Sequence, residues 1–293
     1  MIDRVTSQTR MLSAQQSLQS SAAALARLHD TASTMKKIAV PSDDPSGTAD
    51  SLRVRLSQSA VAQYSRNIDD AQGWLSTVDS TLTSTTDLLR RVRDLTVQGA
   101  NDGTLSPTAK EAIATELDGL RSDLLRLANT TYSGRTVFAG TSDSGVAFNP
   151  DYSANAAAGT VQRRLDATST VQVDSDGVAV FGQGAGSAFA LIDSIAADLR
   201  SGVNVGAHLT EIDQFMTAAS TEQSKVGARQ SQIARAKETN LSMTNSLEVQ
   251  RSSVEDVDPS EIVLKLQQQE TAYQVALAVT ARTLQPTLMD FLR

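Results

Sequence analysis

Apolar residues recur at alternating steps of three and four along most of this 293-residue chain. That spacing constrains the fold more than any single motif. The first stripe is Met11, Ala14, Leu18, Ser21, Leu25, Leu28, Ala32 and Met35. A stronger one follows through Val54, Ser57, Val61, Tyr64, Ile68, Ala71, Leu75, Val78, Leu82, Thr85, Leu89 and Val92. A narrow apolar seam with polar residues around it is the pattern of helices that pack on other helices. If Pro45 to about Gly99 is one helix, it is roughly 80 Å long at 1.5 Å per residue. Such a rod buries its stripe only against neighbours. Gly73 inside it costs roughly 1 kcal/mol relative to alanine, which predicts a close contact or a slight bend there.

The segment NDGTLSPTAKE ends the rod. Ser106 is placed to cap the next helix and Pro107 to open it. That helix carries Ile113, Leu117, Leu120, Leu124 and Leu127 and is expected to fold back as an antiparallel hairpin. The texture then changes to short β-prone pieces, TVFAG, GVAFN, GTVQRRL, STVQVD and GVAVFG, read as a small β-rich module with hairpins. A short helix is predicted over Ala188 to Leu199, ended by Gly202. Heptads return at Leu209, Ile212, Met216, Ala219, Val226, Ile233 and Leu247. The last segment opens at DPSEIVLKLQQQE with the stripe Val263, Leu266, Tyr273, Leu277, Leu284, Leu288 and Phe291, and Pro286 is expected to break its final turns.

The predicted fold is therefore mainly α. It is a long antiparallel helical bundle or coiled coil of N- and C-terminal segments with a small inserted β-rich domain. The expected division pairs residues 1–40 with 259–293 as a terminal coiled coil, residues 41–135 with 203–258 as a helical bundle, and residues 136–202 as the insert. Each terminal stripe is marginal alone and becomes stable when another helix covers it. The heptads leave open whether the two ends cover each other or pack on other subunits.

Composition narrows the function. The formal charge is −7 and the isoelectric point about 4.9, the reverse of a duplex-binding surface. The basic run LLRRVRDL reads as a solvated helix face or a subunit contact. The chain has no cysteine and two histidines, His29 and His208, so thiolate chemistry and Cys-ligated metal are excluded. No apolar run suits a cleaved secretion signal or a membrane span, which on its own reads as a cytoplasmic protein. No constellation of carboxylates, histidines or nucleophiles stands at catalytic spacing, so neither an enzyme nor a cofactor is expected.

The conspicuous motifs have structural readings. VPSDDPSGTADSLRVR could suggest a metal or phosphate loop. Asp44 before Pro45 instead fits an N-cap followed by proline at the first helical position. DPSE repeats the arrangement with Asp258 as cap and Glu261 in capping-box position. DSDG (174–177) lacks the remaining ligands of a calcium loop and reads as a hairpin turn. GQGAG (182–186) lacks the third glycine and the βαβ context of a dinucleotide fingerprint.

Several stretches together carry a family resemblance. SDDPSGTADSLRVR, NIDDAQGWLSTVDSTLTSTTDLLRRVRDLTVQGAND, NTTYSGRTVFAGT, KVGARQSQIARAK and SSVEDVDPSE resemble the bacterial flagellin family. The VFAGT ending and QQQETAYQVALAVTARTLQPTLMDFL are more similar to the branch that joins hook to filament than to filament subunits. The likeness covers roughly residues 1–140 and 205–293.

The resemblance implies a structural adaptor. A ring of copies would pack through terminal helices that are disordered in the free subunit and fold together into an inner tube. The subunit-interface residues would be Met11, Leu18, Leu25 and Leu28 with Val263, Leu266, Tyr273, Leu277, Leu284, Leu288 and Phe291. The implied partners are hook-associated protein 1 on the hook side, flagellin on the other, and an export chaperone on the C-terminal helix. Export would use the flagellar type III route with an uncleaved signal, placing the working protein outside the cell. A filament-forming flagellin is the nearest rival. A signalling bundle would need a span or sensor module, and a bundle enzyme would need a Glu-x-x-His ligand pair.

Overall fold

The computed structural model describes residues 2–101, 105–157 and 159–284. The helices among them are α1 (Ile2–Thr34), α2 (Pro45–Gly99), α3 (Pro107–Ala128), α4 (Gly177–Phe181), α5 (Ala188–Ser201), α6 (Leu209–Glu255) and α7 (Pro259–Leu284). The strands are β1 (Thr131–Tyr132), β2 (Arg135–Thr136), β3 (Gln162–Arg164) and β4 (Thr170–Gln172), in two antiparallel hairpins, β1–β2 and β3–β4. Helix dominates because the heptad stripes run almost without interruption, and Pro45, Pro107 and Pro259 each open a helix. Packing divides the chain into two units, residues 1–59 with 244–293 and residues 60–243.

In the second unit the α2 stripe is the spine of the core. Ile68, Ala71, Leu75, Val78, Leu82, Leu89 and Val92 are buried, joined by Trp74. The α6 stripe meets it with Ile212, Ala219, Val226 and Ile233. Polar rungs flank this seam. Arg93 pairs with Asp213 at 2.8 Å, Gln223 donates to Thr83 at 3.0 Å, Lys237 pairs with Asp69 at 3.0 Å, and Asn240 donates to the Val61 carbonyl at 3.0 Å. The partners rise along α6 as they fall along α2, so the two helices are antiparallel. Helix α3 adds Ile113, Leu117 and Leu124 to the core and packs on α5, which contributes Phe189, Ile192, Ile195 and Leu199.

Gly73 has a specific reason. A Cβ there would collide with the Tyr132 hydroxyl. The missing side chain lets β1 sit against α2, with the Tyr132 ring 5.6 Å from that of Trp74. The β3–β4 hairpin docks beside it: Arg163 lies 5.6 Å from the Trp74 ring and pairs with Asp70 at 2.5 Å. Residues 136–202 share the core of the second unit. Phe138, Phe148, Phe181 and Phe189 form a continuous aromatic cluster with centroid separations of 5.3 to 5.8 Å.

Three expectations within this segment are corrected. GVAVF is not a strand but helix α4. DSDG is not a hairpin turn: Asp176 caps α4, its carboxylate accepting from the backbone N–H groups of Val178 at 2.9 Å and Ala179 at 3.2 Å. GVAFN contributes only the single bridge Phe148↔Ala154. The cause is tertiary: burying Val180 and Phe181 in the aromatic cluster outweighs the β-propensity of the sequence.

Candidate assembly site on the terminal helices

The first unit holds the residues singled out as an interface. Helices α1 and α7 pack on each other. Gln269 donates to the Ser21 carbonyl at 3.2 Å, and His29 stands 3.9 Å from Glu270. Beyond the helix ends, Lys36 and Asp256 form an antiparallel bridge. The side of α7 that is covered follows a heptad of its own: Ile262, Leu266, Gln269, Tyr273, Ala276 and Thr280 are buried or half-buried. On α1 the matching half-buried positions include Ala14, Leu18, Ser21, Leu25, Leu28 and Ala32.

The apolar residues of α7 therefore divide between two faces. Leu266 and Tyr273 lie on the seam. Val263 and Leu277 do not, being 62% and 42% exposed. Leu264, Val275 and Val279 are 56%, 57% and 54% exposed and, at about 100° per residue, cluster on one side of the helix, away from the seam. Ile262, which sequence reasoning passed over in favour of Val263, is the most buried of the described apolar side chains of the helix, at 3%. Met11 is exposed at the other end of the pair. Leu284 closes α7, but its side chain, together with Leu288, Phe291 and the break at Pro286, lies outside the described residues. A paired helix that keeps a second apolar face in water is suited to receive another helix there.

Aspartate caps open α2 and α7. Asp44 accepts from the Gly47 N–H at 2.9 Å and the Ser46 hydroxyl at 2.7 Å, and these bonds hold its carboxyl below the usual range. A Cβ on Gly47 would strike that carboxylate and Ile38. Asp258 accepts from the Ser260 N–H at 2.8 Å at the start of α7. Glu261 pairs with Lys265 at 2.6 Å instead of reaching back as a capping box would. In the second unit Ser106 accepts from the Ala109 N–H at 3.2 Å.

One group was not singled out from sequence. Glu255, the last residue of α6, has a side chain only 4% exposed. Arg55 grips it with two bonds, Nε to Oε1 at 2.7 Å and Nη2 to Oε2 at 2.9 Å. Ser51 donates to it at 2.5 Å, Lys36 at 3.0 Å and Arg251 at 3.3 Å. The Arg55 bond is the chief reason its carboxyl is held well below the usual range. Its partners come from three separate segments of the chain, so local pattern could not reveal it.

The described residues contain no group of three His, Asp or Glu side chains able to hold a metal. Among them, no helix is long and apolar enough to cross a membrane.

Comparison with known proteins identifies the family. Residues 5–143 match the bacterial flagellin N-terminal helical region, and residues 209–292 match the bacterial flagellin C-terminal helical region. The chain belongs to the bacterial flagellin family, whose members are structural proteins of the flagellum. It is similar to flagellar hook-associated protein 3 of Escherichia coli strain K12, with 28% identity over 214 residues, covering 68% of this chain and 66% of that protein. The same protein of Salmonella typhimurium is 28% identical over 157 residues, 53% of this chain and 49% of the relative. The chain thus spans between about half and just under two thirds of these relatives. Flagellins from Vibrio anguillarum and Vibrio parahaemolyticus match 44% and 46% of the chain. The solved structure of a candidate flagellar hook-associated protein from Vibrio parahaemolyticus shares the fold, with a TM-score of 0.68, 22% identity, and coverage of 73% of this chain and all of that one.

Proposed function

We propose that this chain is the structural adaptor at the hook–filament junction, assembled as a ring through its terminal helices. One observation carries the assembly reading: α7 buries the Ile262–Leu266–Tyr273 seam on α1 and keeps Leu264, Val275 and Val279 in water. In a ring, a neighbouring copy would cover that second face. The similarity to hook-associated protein 3, which extends over more of the chain than that to the flagellins, supports the junction location.

The partners proposed on this basis are hook-associated protein 1 below, flagellin above, and copies of the chain alongside. A cytoplasmic export chaperone would hold the C-terminal helix until the flagellar type III route delivers the protein outside the cell. The chain performs no chemistry; it matches one helical lattice to another by helix packing.

The test uses cells deleted for this chain. We expect them to carry hooks but no filaments, wild-type chain to restore filaments, and Val275→Asp to fail while still appearing in the medium. Normal filament numbers with Val275→Asp would remove the α7 face from the interface. Normal filaments in the deletion strain would overturn the adaptor reading altogether.

A further inference from the structure

We propose that the Glu255 cluster is an electrostatic latch that holds the root of the terminal helix pair. The latch lies within the first unit and does not rest on the proposed function.

Four observations support it. First, the carboxylate is almost fully removed from water and is shared by cations from three places: Lys36 on the segment leaving α1, Arg55 on α2 and Arg251 on α6. A carboxylate so enclosed is tolerated only when its oxygens are paired, and the bidentate arginine supplies the strongest pairing geometry. Second, the same residue holds the backbone. The Lys37 N–H donates to the Glu255 carbonyl at 2.7 Å, the Val257 N–H donates to the Met35 carbonyl at 3.1 Å, and Lys37 Nζ reaches the Ser253 carbonyl at 3.0 Å. Both connections to the terminal helices are therefore fastened at one point. Third, Met35 sits at φ +54°, in the left-handed region that a side chain disfavours. That conformation turns the chain out of α1 and into the bridge, and it persists because the bridge holds it. Fourth, the surrounding charges are themselves tied. Arg251 also binds Glu248 at 2.8 Å and Asp256 at 3.1 Å, and Lys36 also binds Asp256 at 3.2 Å. The other carboxylates facing Glu255 are thus neutralised in place.

Removing the charge on Glu255 leaves Arg55, Lys36 and Arg251 without their common partner and frees the Lys36–Lys37 segment. Trypsin needs a lysine in an extended, accessible backbone, so cutting after Lys36 or Lys37 reads the latch directly. With the full-length chain, timed digestion followed by intact-mass analysis should show these cuts at least about tenfold faster in Glu255→Gln than in wild type, as the open population grows. Cuts within residues 60–243 should keep their wild-type rate. The proposal is overturned if the Lys36 and Lys37 cuts are no faster in the variant, or if wild type is cut there as fast as the urea-unfolded chain. If Glu255→Gln accelerates cutting everywhere, Arg55→Gln decides, because it leaves the Lys36 and Arg251 pairs in place. A smaller acceleration confined to Lys36 and Lys37 upholds the latch, and an unchanged rate there overturns it.

Discussion

Gly73 illustrates how a single residue can be read in advance and still need the structure for its reason. Its cost in a helix interior predicted a close contact, and the contact is the Tyr132 hydroxyl. Gly73→Ala would ordinarily stabilise a helix by roughly 1 kcal/mol. Here the added methyl overpacks the β1 contact, at a cost of about 1–3 kcal/mol. The expected result is a lower urea midpoint, and a higher midpoint would mean that Tyr132 moves aside freely. Asp176 is the opposite case. Nothing in DSDG distinguished a hairpin turn from a helix cap, because aspartate before glycine serves both. Asp176→Ala should cost about 1 kcal/mol as the cap of α4 is lost, measured by the same denaturation.

At the scale of elements, the long helices were legible because a seam of period 3.5 sustained over many turns stays on one side only of a helix. The insert was not. Its β-prone pieces are short, and whether GVAVF becomes strand or helix is decided by the phenylalanine cluster it joins. Helix α7 lies between these cases. Its existence followed from the heptad, but the choice between Ile262 and Val263 as the buried partner needed the position of α1. The two faces of α7 predict different phenotypes. Ile262→Ala removes a buried side chain and should cost about 2–5 kcal/mol in the first unit, seen as lost helical signal. Val275→Asp should leave the circular dichroism of the free chain unchanged and abolish self-association in sedimentation. Equal effects of the two changes on the free chain would contradict the division into a seam and an assembly face.

For the molecule as a whole, the Glu255 cluster was the least legible feature, since its groups are gathered from around residues 36, 51 to 55, and 251 to 256. Its pH dependence follows from the direction of the shift. The folded carboxyl is held below its ordinary value of 4.5. Its contribution is therefore present above about pH 4.5 and is lost as pH falls through the lower folded value. Asp174 works in the other direction. Burial raises its carboxyl above the ordinary 3.8, so its contribution is present at low pH and fades as pH rises through the raised value. Tryptic protection at Lys36 and Lys37 cannot be followed in strong acid, but pepsin digestion of the first unit can. Wild type should lose protection below about pH 4.5 and Glu255→Gln should show a flatter profile; matching profiles would assign the acid response elsewhere.

The proposed role of the chain is one of place: a flagellin-family subunit with an assembly face on its terminal helices, set at the boundary between hook and filament. Immunogold labelling of sheared flagella with hooks attached, using an antibody to this chain and electron microscopy, tests that placement without an intermediate step. Gold confined to the hook–filament boundary is the expected result. Gold along the whole filament would make the chain a filament subunit, and absence of gold from hook and filament alike would contradict the junction function itself.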